Sequence, residues 1–250
     1  MPAHNIAMIV AYDGSDFLGW QDNGQGRSVE SELRSVLEKI LRHPVTLQAA
    51  SRTDVGVHAE GQVVNFHSNR ETVNATSLFS GVNALLPDDI AVRKLWIADH
   101  SFHPTLDNVG KEYHYRLCCG DIQMPLARHF QWHYPTSLNL DLMLQAAQIF
   151  IGRHDFRAFC NMRKGLHYDS FVRTLQRLDI VFCEESCLRI ELEGDAFLYK
   201  MARNIVGTLI YVGCGKLQLD EVTSILNSKD RTLAGMTAPA HGLVLKQVFY

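Results

Sequence analysis

No run of this chain is long enough to span a bilayer; the longest weakly polar stretch, residues 205 to 212, falls far short of the roughly 20 apolar residues required. The six cysteines, at 118, 119, 160, 183, 187 and 214, form no CxxC pair and match no zinc-site spacing. They read as reduced thiols, and no metal is expected. There is no P-loop and no Rossmann glycine motif, which removes the common nucleotide-binding classes. Excess positive charge is lacking as well: 24 Lys and Arg against 27 Asp and Glu leave a net charge of −3, which argues mildly against a nucleic-acid partner. The apolar segment Ile6-Ala-Met-Ile-Val-Ala11 has no basic flank before it and no small-residue cleavage site after it. It reads as a first strand, and the chain is expected in the cytoplasm.

What is present is the composition of a globular protein, with 46% hydrophobic and 20% charged residues over a length of 250. That length holds one large domain or two of about 100 to 130 residues. Residues 5 to 12 read as a strand and residues 28 to 43 as a helix capped by Ser28 and stopped by Pro44. Strands at 45 to 50 and 62 to 68, a helix at 74 to 86 and a strand at 90 to 97 complete a β-α-β-β-α-β order. That is the ferredoxin-like split arrangement. A second α+β half follows: strands at 111 to 118, 171 to 183 and 187 to 193, helices at 140 to 151, 196 to 213 and 220 to 228, and a last strand at 243 to 249. In the helix at 140 to 151, Leu144, Ala147, Ile149 and Ile151 are the expected core. Glu184-Glu-Ser186 reads as a hairpin turn. The expected fold class is α+β, with two ferredoxin-like halves, 1–104 and 105–250, whose mainly antiparallel strands form a mixed central sheet. With no low-complexity linker between them, the cleft between the halves is the expected ligand site.

The stretch Arg52-Thr-Asp-Val-Gly-Val-His58 has no helical period and is punctuated by Gly56, so it reads as a loop. The strand Gln62-Val-Val-Asn-Phe-His-Ser68 follows. Two residues apart on an extended backbone, Arg52 and Asp54 have side chains on the same side. The arginine either keeps Asp54 ionised or holds a phosphate or a displaced base while Asp54 does the chemistry. A structural loop ion pair is the plainer reading of the same two residues. In Lys111-Glu-Tyr-His-Tyr115, Tyr113 and Tyr115 share a strand face, where aromatics are favoured for packing alone. Arg203 sits in the first turns of a largely apolar helix, so its charge must reach solvent or find a buried anion. Between Arg153 and Arg177, six basic residues (Arg153, Arg157, Arg163, Lys164, Arg173, Arg177) face only Asp155 and Asp169, a local excess of +4. This run is either a solvated face or a phosphate-contacting surface.

Arg52-Thr-Asp-x-Gly-Val-His58 with Gly61-Gln-Val-Val-x-Phe66 resembles the active-site signature of the TruA family of tRNA pseudouridine synthases. Tyr12-Asp-Gly-x-x-Phe-x-Gly-Trp-Gln21 resembles that family's opening motif. Lys111-x-Tyr-x-Tyr115, Gly152-Arg-His-Asp-Phe-Arg-Ala-Phe159, Val172-Arg-Thr174, the segment 194–207, Val212-Gly-Cys-Gly215 and Ala238-Pro-Ala-His-Gly-Leu-Val-Leu245 follow in family order. The departures are Ser51 for glycine, Thr105 for arginine after Phe102-His-Pro104, and Lys111 for arginine. Lysine cannot reproduce a bidentate phosphate contact.

The resemblance implies a pseudouridine synthase fold and isomerisation of uridine at positions 38, 39 and 40 of the tRNA anticodon stem and loop. It makes Asp54 the catalytic carboxylate and nucleophile, Arg203 its ion-pair partner, and Tyr113 the residue that stacks on the uridine and is placed to take part in proton transfer. Arg52 then fills the space left by the flipped base or holds the backbone. No cofactor and no metal is implied, since the reaction is neither redox nor phosphoryl transfer. The partner is tRNA bound by a homodimer. Two other readings of the residues remain: a non-catalytic RNA-binding module that has kept the fold, and a hydrolase in which Asp54 is the nucleophile and Glu60 or Asp13 the acid.

Overall fold

A computed structural model describes residues 4–163, 165, 167–183 and 186–250. The expected turn residues Glu184 and Glu185, and Lys164 of the basic run, lie outside the described residues. The chain divides into two compact units, one comprising the chain up to Val109 together with Val244–Tyr250, the other Gly110–Leu243.

The first unit opens with β1 (His4–Tyr12) and α1 (Val29–Leu41). Ser28 caps α1 by accepting from Ser31 N, and the apolar stripe Val29, Leu33, Val36, Leu37 and Leu41 is buried. The helix ends before Pro44, at Arg42, which takes a left-handed conformation and bonds back to Glu38 O at 2.9 Å. Next come β2 (Gln48–Ala49), β3 (His58–Ser68), α2 (Ala75–Leu85) and β4 (Ile90–Ala98). β2 is shorter than the expected 45 to 50, and β3 begins four residues earlier than expected, close behind Asp54. β1 lies antiparallel to both β3 and β4. Its register sets Ile6 against Phe66 and Met8 against Val64, so these four buried side chains form cross-strand core pairs.

The second unit contains β5 (Gly110–Cys118), β6 (Trp132–His133), α3 (Leu140–Phe150), β7 (Gly152–Asp155), β8 (Val172–Phe182), β9 (Cys187–Gly194), α4 (Met201–Gly213) and α5 (Leu219–Ser228). Its strands run in the order β5-β9-β8-β7, all antiparallel, with β6 parallel to β5. α3 buries Met143, Ala146, Ala147 and Phe150, while Leu144 is 42% exposed. The expected core set for this helix is therefore corrected. Ala147 of the expected set is buried, but Leu144 and Ile149 lie off the stripe that 143, 146, 147 and 150 form.

The start of α4 is a second correction: 196–200 are not helical. Asp195 holds that stretch to β8, its carboxylate accepting from Thr174 N at 3.0 Å and Ala196 N at 2.6 Å. Lys200 precedes the helix at φ 62°, a left-handed conformation uncommon outside glycine.

The chain ends in β10 (Leu243–Phe249), which runs parallel to β3 with Val244 opposite His58 and Leu245 opposite Ala59. That strand belongs to the first unit from Val244 onward, whereas a division at 104/105 assigns it to the second half. Both units are α+β, with mixed and mostly antiparallel strands. No helix among the described residues is long and apolar enough to cross a membrane.

Candidate active-site residues

In the first unit Asp54 lies on the loop between β2 and β3, and each neighbour of the loop fixes a different part of it. Gln62, fully buried on β3, accepts from Ser51 N at 3.1 Å and donates to Ser51 O at 2.6 Å. Tyr12 Oη and Thr53 Oγ1 are 2.7 Å apart. Trp20 N donates to Thr53 O at 3.1 Å, and a turn closes with Val57 N donating to Asp54 O at 3.1 Å over Gly56, at φ 76°. Gly19, at φ 86°, passes so close that a Cβ there would sit 2.7 Å from Thr53 O and 3.2 Å from Asp54 C. No other residue type fits that backbone and that gap. The tyrosine and glycine of the opening motif are thus a brace for the loop.

Buried Thr53 separates exposed Arg52 from half-buried Asp54, the alternation an extended segment imposes. Ser51 does not have positive φ, so its replacement of glycine costs no backbone strain. Thr105 donates its hydroxyl to Ala49 O at 2.8 Å, tying the end of β2 that leads into the loop.

In the second unit, Tyr113 of β5 is 6% exposed and meets Phe197 edge-on at 4.9 Å between ring centroids. Tyr115 is fully buried and donates to Pro239 O at 2.9 Å. Burial pushes the Tyr115 hydroxyl far above its ordinary pKa, against the pull of the Arg203 charge. Arg203, third residue of α4, donates through Nε to Ala238 O at 2.7 Å, and its own carbonyl accepts from Ala238 N at 3.1 Å. Asp54 and Arg52 are therefore carried by the first unit, Tyr113 and Arg203 by the second.

Burial, and then the charge of Arg173, depress the pKa of Lys111; Asp195 opposes them. The described part of the basic run is interleaved with aromatics. Arg157 lies 4.3 Å over Phe171, Arg163 4.9 Å over Tyr199 and Arg173 5.8 Å over Tyr168. Such cation–aromatic packing also suits nucleic-acid backbones and bases.

A carboxylate–imidazole cluster missed at the sequence level joins β5 to β9: one ligand atom each from Glu112, His114 and Glu191 falls within 4.8 Å of the others. Glu112 Oε1 and both oxygens of Glu191 already have partners. Arg177 donates to Glu112 and Glu191, Arg189 Nε lies 2.7 Å from Glu191 Oε1, and His114 Nε2 lies 2.8 Å from Glu112 Oε1. A cation entering this cluster would have to displace two guanidinium groups, so it is an ion-pair network. Despite the opposing effect of burial, the hydrogen bonds from Arg177 and Arg189 hold Glu191 below the ordinary carboxylate range. The alternation of charged residues on β5, β8 and β9, at two-residue spacing, was its sequence signal.

Among known proteins, the family model described as tRNA pseudouridine synthase matches residues 146–250. Over 246 residues the chain is 47% identical to tRNA pseudouridine synthase A 2 of Protochlamydia amoebophila (strain UWE25), covering 98% of this chain and 94% of that one. It is 42% identical to tRNA pseudouridine synthase A of Thermoanaerobacter sp. (strain X514), covering 98% and 99% of the two chains. With tRNA pseudouridine synthase A 1 of Protochlamydia amoebophila (strain UWE25) it shares 39% over 249 residues, 99% of this chain and 96% of that one. At this identity over nearly its whole length, the chain belongs to the TruA family of tRNA pseudouridine synthases.

Proposed function

We propose that this protein isomerises uridine to pseudouridine at positions 38, 39 and 40 in the anticodon stem and loop of tRNA, with Asp54 as the catalytic nucleophile. The observation that carries the reading is the 47% identity over 98% of the chain to a tRNA pseudouridine synthase A. The rigid bracing of the Asp54 loop by Gln62, Tyr12 and Gly19 supports it, because catalytic groups must be held within fractions of an ångström.

In this mechanism the target uridine leaves the stack at a cost of a few kcal/mol. Arg52, exposed beside Asp54, occupies the vacated space or holds the backbone. Tyr113 stacks on the extruded base. Asp54 attacks C1′, and the electron pair of the N1–C1′ bond passes to N1. The freed uracil turns so that C5 bonds to C1′ as the Asp54 ester breaks. The proton on C5 is then removed, and N1 ends protonated. A route through loss of the 2′ proton uses the same carboxylate and differs in showing a primary isotope effect with 2′-deuterated uridine. Arg203 serves as ion-pair partner of Asp54, the role the resemblance implies. Every bond broken is replaced within the substrate, so neither a redox cofactor nor a metal enters the balance. The protein acts in the cytoplasm, as its sequence leads us to expect, and by the resemblance it is a homodimer whose tRNA contacts both subunits.

For the hydrolase reading, each candidate acid already has partners of its own. Glu60 pairs with Lys246, and Asp13 accepts from Ser15 N at 2.9 Å and lies 3.1 Å from His58 Nδ1. The test is pseudouridine mapping on bulk unmodified tRNA without added metal or nucleotide. Pseudouridine in the anticodon arm supports the proposal. Binding of tRNA with every uridine unchanged replaces it with a non-catalytic RNA-binding module.

A further inference from the structure

We infer that Arg231 is a positioning residue that orients Arg203 by clamping the segment 234–238 onto α4. The inference rests on the proposed pairing of Arg203 with Asp54. Each of the five N–H donors of Arg231 has an acceptor. Nε donates to Asn161 Oδ1 at 3.3 Å; Nη1 to Ala234 O at 3.4 Å and Gly235 O at 2.9 Å; Nη2 to Asn204 Oδ1 at 2.8 Å and Thr237 Oγ1 at 2.9 Å. None of these acceptors is a carboxylate. Burial depresses the guanidinium pKa with no anion to offset it, so the arginine is retained at a cost and what it supplies is geometry.

That geometry leads directly to Arg203. Asn204, fully buried and next to Arg203 in the chain, is the hub: its Oδ1 accepts from Arg231 and, at 2.7 Å, from Thr237 Oγ1, while its Nδ2 donates to Phe159 O and Asn161 Oδ1. One turn further along α4, Thr208 Oγ1 accepts from Gly235 N at 3.0 Å. The two backbones touch there. A Cβ on Gly207 would sit 1.7 Å from Met236 O, and one on Gly235 would sit 2.6 Å from Gly207 O. The segment so held presents Ala238 O to Arg203 Nε at 2.7 Å. With Nε fixed, the plane of the guanidinium is fixed, and the Nη groups are aimed in one direction. The next residue, Pro239, accepts from the Tyr115 hydroxyl at 2.9 Å. A lysine has three donors on one atom and cannot replace this fork.

The test is a cycle of variants assayed for kcat, for tRNA Kd and for melting temperature: wild type, Asp54→Asn, Arg231→Gln, Thr237→Val, Arg203→Lys, and Arg231→Gln and Thr237→Val each combined with Arg203→Lys. Arg203→Lys keeps the charge and deletes the Nε that Ala238 holds. The expected result is a loss in kcat of about 10- to 100-fold in Arg231→Gln, and a smaller one in Thr237→Val, with tRNA Kd within about twofold. Neither substitution should reduce kcat further in the Arg203→Lys background, because the fork they orient is gone. Thr237→Val carries the test if Arg231→Gln does not fold. Losses that multiply with that of Arg203→Lys, or an unchanged kcat in both folded variants, overturn the inference while leaving the roles of Asp54 and Arg203 intact. A fully active Arg203→Lys together with a fully active Asp54→Asn overturns the site reading itself.

Discussion

Gln62 holds Ser51 by both of its main-chain groups, accepting from the N–H at 3.1 Å and donating to the carbonyl at 2.6 Å, from a side chain with no solvent exposure. This pair fixes the entry to the loop that carries Asp54 from within the strand that leaves it. Gln62→Leu keeps the volume and removes both of these bonds, so it should cost about 1–3 kcal/mol of stability. If the clamp serves catalysis, kcat should fall by about tenfold or more at a temperature where the variant is folded, with tRNA affinity unchanged. Denaturant titration and single-turnover assays separate the two effects. An unchanged kcat in the folded variant would show that the loop holds its geometry without Gln62.

Tyr12→Phe removes the hydroxyl 2.7 Å from Thr53 Oγ1 and little else. The expected stability loss is about 1 kcal/mol, the usual worth of one buried hydrogen bond. Thr53→Val in the Tyr12→Phe background should add far less than it does alone, because the partner is already gone. Full additivity in thermal or urea unfolding would mean that the two groups do not act as a pair.

The Arg177 network predicts a pH dependence of stability. Glu191 has its folded pKa below the ordinary glutamate value of 4.5, so its contribution is complete above that pH and is lost as pH falls through the lower folded value. Glu191→Gln should be less stable than wild type by about 1–2 kcal/mol at pH 7, and the gap should close below about pH 4.5. Urea unfolding at pH 7, 5 and 3.5 measures it. A gap that stays constant over this range would contradict the assignment.

Tyr113 is packed edge-on against Phe197 and is nearly buried, as a residue that meets one face of a base would be. Tyr113→Phe should bind an anticodon-arm RNA as wild type does, whereas Tyr113→Leu should lose about 1–3 kcal/mol of affinity, the worth of one stacked base. Equal affinities for Phe and Leu variants would remove stacking as its role.

Much of this architecture was legible in the sequence because local rules agree with the fold. Ser28 caps α1 as its position before an apolar stripe predicts, and β1, β4, β5, β9 and β10 fall within one or two residues of where alternation places them. The failures have tertiary causes. Residues 196–200 resemble helix by composition, yet the Asp195 carboxylate bonds Thr174 of β8 and Ala196 N, and the helix begins only after Lys200. In α3 Leu144 is apolar enough to read as core, yet it falls off the spacing that faces the core. For the site, the types of Asp54, Arg52, Tyr113 and Arg203 stand out in the chain, and the resemblance supplies their roles. What holds them was hidden. Gln62 reads as an ordinary polar strand residue, and Arg231 as one cation in a turn, because a side chain bonding to backbone 11 residues away, or to a helix 27 residues away, leaves no periodic trace.

Asp54 as the catalytic carboxylate is tested most directly by release of tritium from tRNA carrying 5-tritiated uridine, since moving C1′ to C5 must expel that hydrogen. Wild type should release label from uridines at positions 38 to 40 in proportion to pseudouridine formed. Asp54→Asn, which alters one atom and no packing, should bind the same tRNA and release none. Release by Asp54→Asn at a rate near wild type would contradict the mechanism at its centre.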